Sequence, residues 1–250
     1  MTNYISINGI MSNTINGLLV SSLPTISKPE MRTKTTTVDG RDGDITEYLG
    51  FSAYDRTFTI GLYGSYDIDE VVKFFLTPET TNEFIFSNEP DKVYKGYISE
   101  AIDFEKLMRF KTASVTVHVQ PFKFSAWERA KSFLRNISSP STTVKIFNDG
   151  NIYSRPEILI TAGAEGNALI RLWDEITSHD IVARFDGAGD TLLINPTDFS
   201  AQYVSEFNIS NGNRRITGDY DSIRLKAGVN SIYISGVASE IEFINYSRWI

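Results

Sequence analysis

Cysteine is absent from the 250 residues. That removes disulfide frameworks, cysteine zinc sites and thiol catalysis together. Histidine is scarce, with 2 in the chain, so little imidazole is available for acid–base or metal chemistry. Long apolar runs are missing too. None approaches the ~18 residues of a membrane span, and no membrane association is expected. The opening Met1-Thr2-Asn3-Tyr4-Ile5-Ser6 has no basic stretch followed by an apolar core, so no signal peptide is expected. Basic charge is in deficit: 24 Lys and Arg face 31 Asp and Glu, for a formal charge of -7. Binding nucleic acid by phosphate neutralisation needs clustered cations, which argues against a specific DNA or RNA site. What the chain does have is 41% hydrophobic and 22% charged residues, the balance of a folded domain or two.

The first half mixes strands with one good helix. Phe58, Ile60 and Leu62 alternate along Arg56–Tyr63, the period of a half-buried strand. Ile68, Val71, Val72, Phe75 and Leu76 then form one helical stripe, with Asp67 at the N-cap and Glu70 placed to reach back to it. Thr77-Pro78 stops the helix. Glu83–Phe86 and Lys92–Ile98 read as a hairpin around Ser87–Asp91, and Val115, Val117 and Val119 mark a further strand that Pro121 is expected to close. Trp127–Leu134 reads as a short helix and Asn136–Thr143 as a linker. Beyond it, short β-like runs recur between turn clusters: Val144–Phe147, Glu157–Thr161, Ala168–Trp173, Ile181–Phe185, Thr191–Ile194, Ser231–Ile234 and Ile241–Ile244. The expected organisation is residues 1–135 as one domain and 136–250 as a β-sandwich.

Candidates for chemistry are few. His118 falls on the polar side of its strand, where a solvated or hydrogen-bonded side chain is expected. Ser178-His179-Asp180 has the residue types of a nucleophilic triad, but a triad is assembled from separated positions and consecutive side chains point apart. Asp39, Asp42 and Asp44, Asp186 and Asp190, and Asp219 and Asp221 offer hard oxygens, yet none follows the ligand ladder of a calcium loop. Asp and Gly are also the ordinary residues of a turn. Gly40-Arg41-Asp42-Gly43 lacks the lysine and spacing of a phosphate loop. No catalytic residue, metal ligand or cofactor site is therefore assigned, and no enzymatic activity is expected. Trp173, Tyr203, Tyr220, Tyr233 and Trp249 leave a second reading open: a carbohydrate-binding adhesion module recognising host cell-wall saccharide.

The segment Arg32–Asp44 stands apart. Thr33, Thr35 and Thr37 on one face, with Lys34, Thr36 and Val38 on the other, favour extended chain but give neither face a core to sit on. A lone two-stranded hairpin is marginal in water. A projecting hairpin at about residues 31–50 that docks on another subunit is expected, with Arg32, Lys34, Asp39, Arg41, Asp42 and Asp44 as candidate interface residues.

Several marks together resemble the distal tail protein (Dit) family of long-tailed phages that infect Gram-positive bacteria. They are Ile7-Asn8-Gly9, Gly40-Arg41-Asp42-Gly43 after a polar arm, the strand–helix unit Arg56–Leu76, and Phe86-Ser87-Asn88-Glu89-Pro90 before Tyr94. Pro121-Phe122-Lys123-Phe124, Asn148-Asp149-Gly150 and Arg155-Pro156-Glu157-Ile158 complete them. Their order spans nearly the whole chain. The resemblance implies a mainly β protein: an N-terminal β-rich domain with one helix and a belt hairpin, followed by a galectin-like β-sandwich. It also implies a virion structural protein of the tail tip or baseplate, made in the host cytoplasm. Six copies would form a ring joining the major tail tube protein to the tail-associated baseplate protein. Receptor-binding proteins would sit at the periphery and the central hole would pass DNA without binding it. An acidic lumen suits that passage.

Overall fold

In the computed structural model the early Asn8-Gly9 pair forms a two-residue hairpin turn. Asn8 has φ 50° and Gly9 φ 87°, the doubly positive geometry that matches strand twist. It joins β1 (Ile5–Ile7) to β2 (Ile10–Met11). The Asn8 side chain then fixes the turn to the next strand: its amide donates to Asn82 at 2.9 Å and its oxygen accepts from Glu83 N at 2.9 Å. The structure describes residues 2–79, 81–127, 130–137, 141–173, 178–205 and 208–250. The chain divides into two compact units, Met1–Trp127 with Ile250, and Glu128–Trp249.

The first unit adds β3 (Leu18–Ser22), β4 (Met31–Thr37), β5 (Asp44–Phe51), β6 (Tyr54–Leu62), α1 (Ile68–Phe75), β7 (Asn82–Phe86), β8 (Lys92–Ile98), α2 (Phe104–Phe110) and β9 (Thr112–Ser125). Its main sheet runs β2-β1-β7-β8-β9-β6-β3. The pairings along this path are antiparallel. Phe58, Ile60 and Leu62 of β6 point into the core beside Val115, Val117 and Val119, as their alternation requires. Val71, Phe74 and Phe75 of α1 and Leu107 of α2 bury onto the same core. Each fully buried side chain of this size stabilises by roughly 1.5–3 kcal/mol. Asp67 caps α1, its carboxylate accepting from Asp69 N at 2.9 Å. Glu70 makes no return bond among the described residues.

Three sequence expectations are corrected here. Pro121 does not close its strand, because β9 runs on to Ser125. The proline is tolerated at a break in the β8 ladder: Tyr94 pairs with Lys123 and Gly96 with Val119, so no β8 residue is in register with Pro121. The close approach there requires glycine, since a Cβ on Gly96 would stand 2.9 Å from Val119 Cα. Second, the first unit holds α2 as well as the one helix expected there. Asp103 accepts from Lys106 N at 2.8 Å at its start, and Lys111 ends it at φ 59°. Third, the helix expected at Trp127–Leu134 is replaced by a strand, β10 (Lys131–Asn136), which pairs with the last long strand of the second unit. That pairing carries Lys131–Arg135 into the second unit. Glu128, Arg129 and the linker positions Ser138–Pro140 lie outside the described residues.

The second unit continues with β11 (Ser141–Asn148), β12 (Glu157–Ala162), β13 (Gly166–Trp173), β14 (Ser178–Phe185), β15 (Thr191–Asn195), β16 (Ser200–Ser205), β17 (Asn208–Asn211), β18 (Ile216–Thr217), β19 (Gly228–Gly236) and β20 (Ala238–Asn245). Two sheets, β10-β20-β12-β15-β16-β17 and β11-β19-β13-β14-β18, form the sandwich. Ile158, Ile160, Leu192, Ile194 and Phe243 from one meet Ile146, Ile170, Phe185, Ile232 and Ile234 from the other. The fold is mainly β, as expected.

Candidate assembly interface

Strands β4 and β5 form a sheet of their own. Every residue of β4 is exposed, and β5 becomes half-buried only at Gly50 and Phe51. The strands pair from Met31↔Phe51 to Thr37↔Asp44. The tip reverses through Val38-Asp39-Gly40-Arg41, with Arg41 N bonded to Val38 O at 3.1 Å. Gly40 and Gly43 take φ 80° and 75°, values that cost other residues roughly 1–2 kcal/mol.

The candidate residues serve this arm differently. Arg32 sits at a bulge: Arg32 faces Gly50 and Thr33 faces Tyr48, leaving Leu49 as the extra residue. The Arg32 guanidinium donates to the Leu49 carbonyl at 3.1 Å and so satisfies a group the bulge displaces. Asp44 accepts from Thr37 Oγ1 at 2.9 Å across the ladder. Lys34 stands opposite Glu47. Asp39, Arg41 and Asp42 project from the tip. Among the described residues none of the six candidates makes an ion pair. The arm also exposes Met31, Val38, Ile45, Tyr48 and Leu49. Its root is anchored where Phe51 meets Phe122 edge-on at 6.0 Å and Ser52 N bonds to Glu30 O at 2.8 Å.

Charge inside the same unit behaves oppositely. Phe86-Ser87-Asn88-Glu89-Pro90 turns β7 into β8, and its polar side chains are all engaged. Ser87 Oγ accepts from Tyr4 N at 3.0 Å, and Asn88 donates to Pro24 O at 2.9 Å. Glu89 reaches inward to Lys123 at 2.9 Å, to Arg56 at 3.7 Å and to the Tyr94 hydroxyl, which donates to it. Arg56 is 1% exposed; it donates to Tyr94 at 3.0 Å and lies over the Tyr94 and Phe86 rings. Burial, with the hydrogen bond to Glu89, raises the Tyr94 pKa well above its ordinary range. Burial likewise raises that of Tyr54. This network ties β6, β8, β9 and the turn together.

His118, Asp180, Asp186 and Asp190 are each engaged by a neighbouring side chain. His118 Nδ1 lies 2.7 Å from Asp55. Ser178, His179 and Asp180 follow one another along β14, and Asp180 takes a bidentate pair from Arg171 at 2.6 and 2.7 Å. That pair holds the Asp180 carboxyl below its usual range. Asp186 pairs with Arg215 at 2.6 Å, while Asp190 accepts from Tyr203. Tyr203 is buried, which removes it as a stacking platform. The Trp173 and Asp221 side chains lie outside the described part of the structure. Among the described residues no three His, Asp or Glu converge, and no helix is long and apolar enough to cross a membrane.

No family model and no curated protein matches the sequence. Solved structures do. The Dit protein of phage SPP1, described as a paradigm of the hub adsorption apparatus in phages infecting Gram-positive bacteria, superposes with a TM-score of 0.69 at 16% identity, covering 100% of both chains. The fold is that of the Dit hub. A chain of the phage P2 baseplate, solved in its activated conformation with calcium, gives 0.51 at 12% identity over 99% of this chain and 98% of that one. The strontium form of the p2 baseplate gives 0.53 at 13% identity over 98% of each. The Dit fold therefore spans both units and includes the arm.

Proposed function

We propose that this chain is the structural hub of a phage tail tip, non-enzymatic, and assembled as a six-membered ring. In this reading the first unit builds the ring and the arm docks on the neighbouring subunit. The sandwich offers surface to receptor-binding and other baseplate proteins. The ring joins the tail tube above to the tail-associated protein below, and DNA passes through its hole in the virion. The observation that carries the reading is an arm with the full strand pairing of a sheet and no core beneath it, within a chain whose whole length follows the Dit fold. An exposed edge of this length is a liability unless another chain takes it. The net charge of -7 favours passage of DNA over its capture.

Light scattering on the purified full chain tests it: a six-subunit mass is expected at micromolar concentration, with a holed six-fold ring in negative-stain images. Removing residues 34–46 is expected to abolish that mass. A monodisperse monomer from the intact chain, or an unchanged mass after the deletion, would overturn the assignment.

A further inference from the structure

The loop between β15 and β16 holds Phe199 in an unusual state. Its φ is 53°, left-handed backbone that a bulky side chain rarely adopts. The position follows a tight turn after Asn195, where glycine or asparagine is the ordinary choice. The strain is not offset by burial, because the side chain is 54% exposed. Nor is the loop loose. Asn195 Oδ1 accepts from Thr197 N at 2.9 Å and Asp198 N at 3.3 Å, and its amide donates to Glu157 and Asp198 at 3.1 Å each. Arg155 Nη1 donates to Pro196 O at 3.1 Å, and Asn213 donates to Phe199 O at 3.4 Å. An aromatic ring is thus presented to solvent on a pinned loop, at a conformational cost. Such outliers collect at sites of function.

The surroundings indicate what the ring meets. Tyr220 stands edge-on at 6.2 Å with its hydroxyl donating to Asn213 at 2.9 Å, and the Arg155 guanidinium lies 5.6 Å from the ring centre. Asp198 is exposed beside it. The exposed ring is therefore bordered by a carboxylate, an amide and a hydroxyl, with a guanidinium over it. Its chemistry points to the kind of ligand. An aromatic side chain contributes about 150–250 Å², so the ring offers on the order of 100 Å². A protein interface buries about 800 Å² per partner, of which the ring would be only one part. One sugar ring needs only a single flat apolar face with hydrogen-bonding groups around it.

We infer that Phe199, with Tyr220, Arg155, Asp198 and Asn213 around it, is a saccharide-binding subsite of the second unit. The site does not depend on the hub reading. Isothermal titration of the full chain with maltotriose, cellotriose and the N-acetylglucosamine trimer tests it. At least one trimer is expected to bind with a millimolar Kd. Phe199→Gly relieves the backbone, so its Tm should stay level or rise while saccharide affinity falls by about tenfold or more, a difference of 1.4 kcal/mol. Phe199→Trp should retain binding, and Asp198→Ala should weaken it. The inference is overturned if none of the three trimers binds, or if Phe199→Gly leaves the affinity unchanged. It is equally overturned if Phe199→Gly lowers the mass of the assembly in light scattering, since the ring would then cover a protein contact.

Discussion

One unit of this molecule carries charge in two ways. On the arm, Arg32, Lys34, Arg41 and the aspartates lie in solvent without an ion-pair partner among the described residues. In the same unit's interior, the buried Arg56 and Lys123 both pair with the largely buried Glu89, and Tyr94 accepts from Arg56 and donates to Glu89. Buried charges must find partners within the fold, because desolvation costs several kcal/mol per ion. Exposed charges face no such demand and remain available to another molecule. The difference separates what makes the fold from what the fold offers outward.

That contrast can be broken or sharpened experimentally. The largest effect is expected from Glu89→Ala, which strands two buried cations. It should cost about 3–5 kcal/mol in urea unfolding, and a loss below about 1 kcal/mol would mean the network is not what holds β6, β8 and β9 together. Next is Tyr94→Phe, which removes one buried hydroxyl at a cost of about 1 kcal/mol. It also carries a pH signature. The folded-state pKa of Tyr94 is raised from 10.0, so its contribution is complete below pH 10 and is lost as pH rises toward the folded value. The alkaline limb of the stability profile should be shallower in Tyr94→Phe than in the native chain.

On the arm the expected folding effects are smaller. Ile45→Ala should change unfolding free energy by less than about 0.5 kcal/mol, and a loss like that of a core residue would show that the arm packs on its own chain. Reversing Asp39, Asp42 and Asp44 to lysine together should leave Tm nearly unchanged while shifting the assembly toward smaller species in light scattering. The smallest effect is that of salt. Raising ionic strength from 0.1 to 1 M shortens the screening length from about 10 to 3 Å. It should weaken association through the arm without moving the unfolding midpoint of the dissociated chain.

Much of this was legible in residue pattern. Phe58, Ile60 and Leu62 declared β6 by alternation, and Asp67 with its apolar stripe declared α1, because both signals are local. The polar run before Asp39 and the glycines after it marked the arm for the same reason: a strand with no apolar face advertises itself. What escaped was decided at a distance. Lys131–Asn136 lacks a strong period of its own and becomes a strand because β20 supplies its ladder. The short α2 rests on the Asp103 cap and the left-handed Lys111, signals too brief to separate from a turn. Glu89 stood in a recognised motif, yet nothing in the spacing of residues 56, 89, 94 and 123 foretells that they meet. Phe199 was missed because its meaning lies in a backbone angle.

The bulge at Leu49 sets a pivot near the root of a long rod. The 7 residues of β4, at about 3.3 Å each, extend roughly 23 Å. A turn of about 10° at the pivot would sweep the tip by roughly 4 Å, close to the spacing between neighbouring strands. The place where the tip lands is therefore governed far from the tip, by Arg32 holding the Leu49 carbonyl and by Phe51 against Phe122. A substitution at that fulcrum could redirect the arm by a whole strand while leaving every tip residue intact.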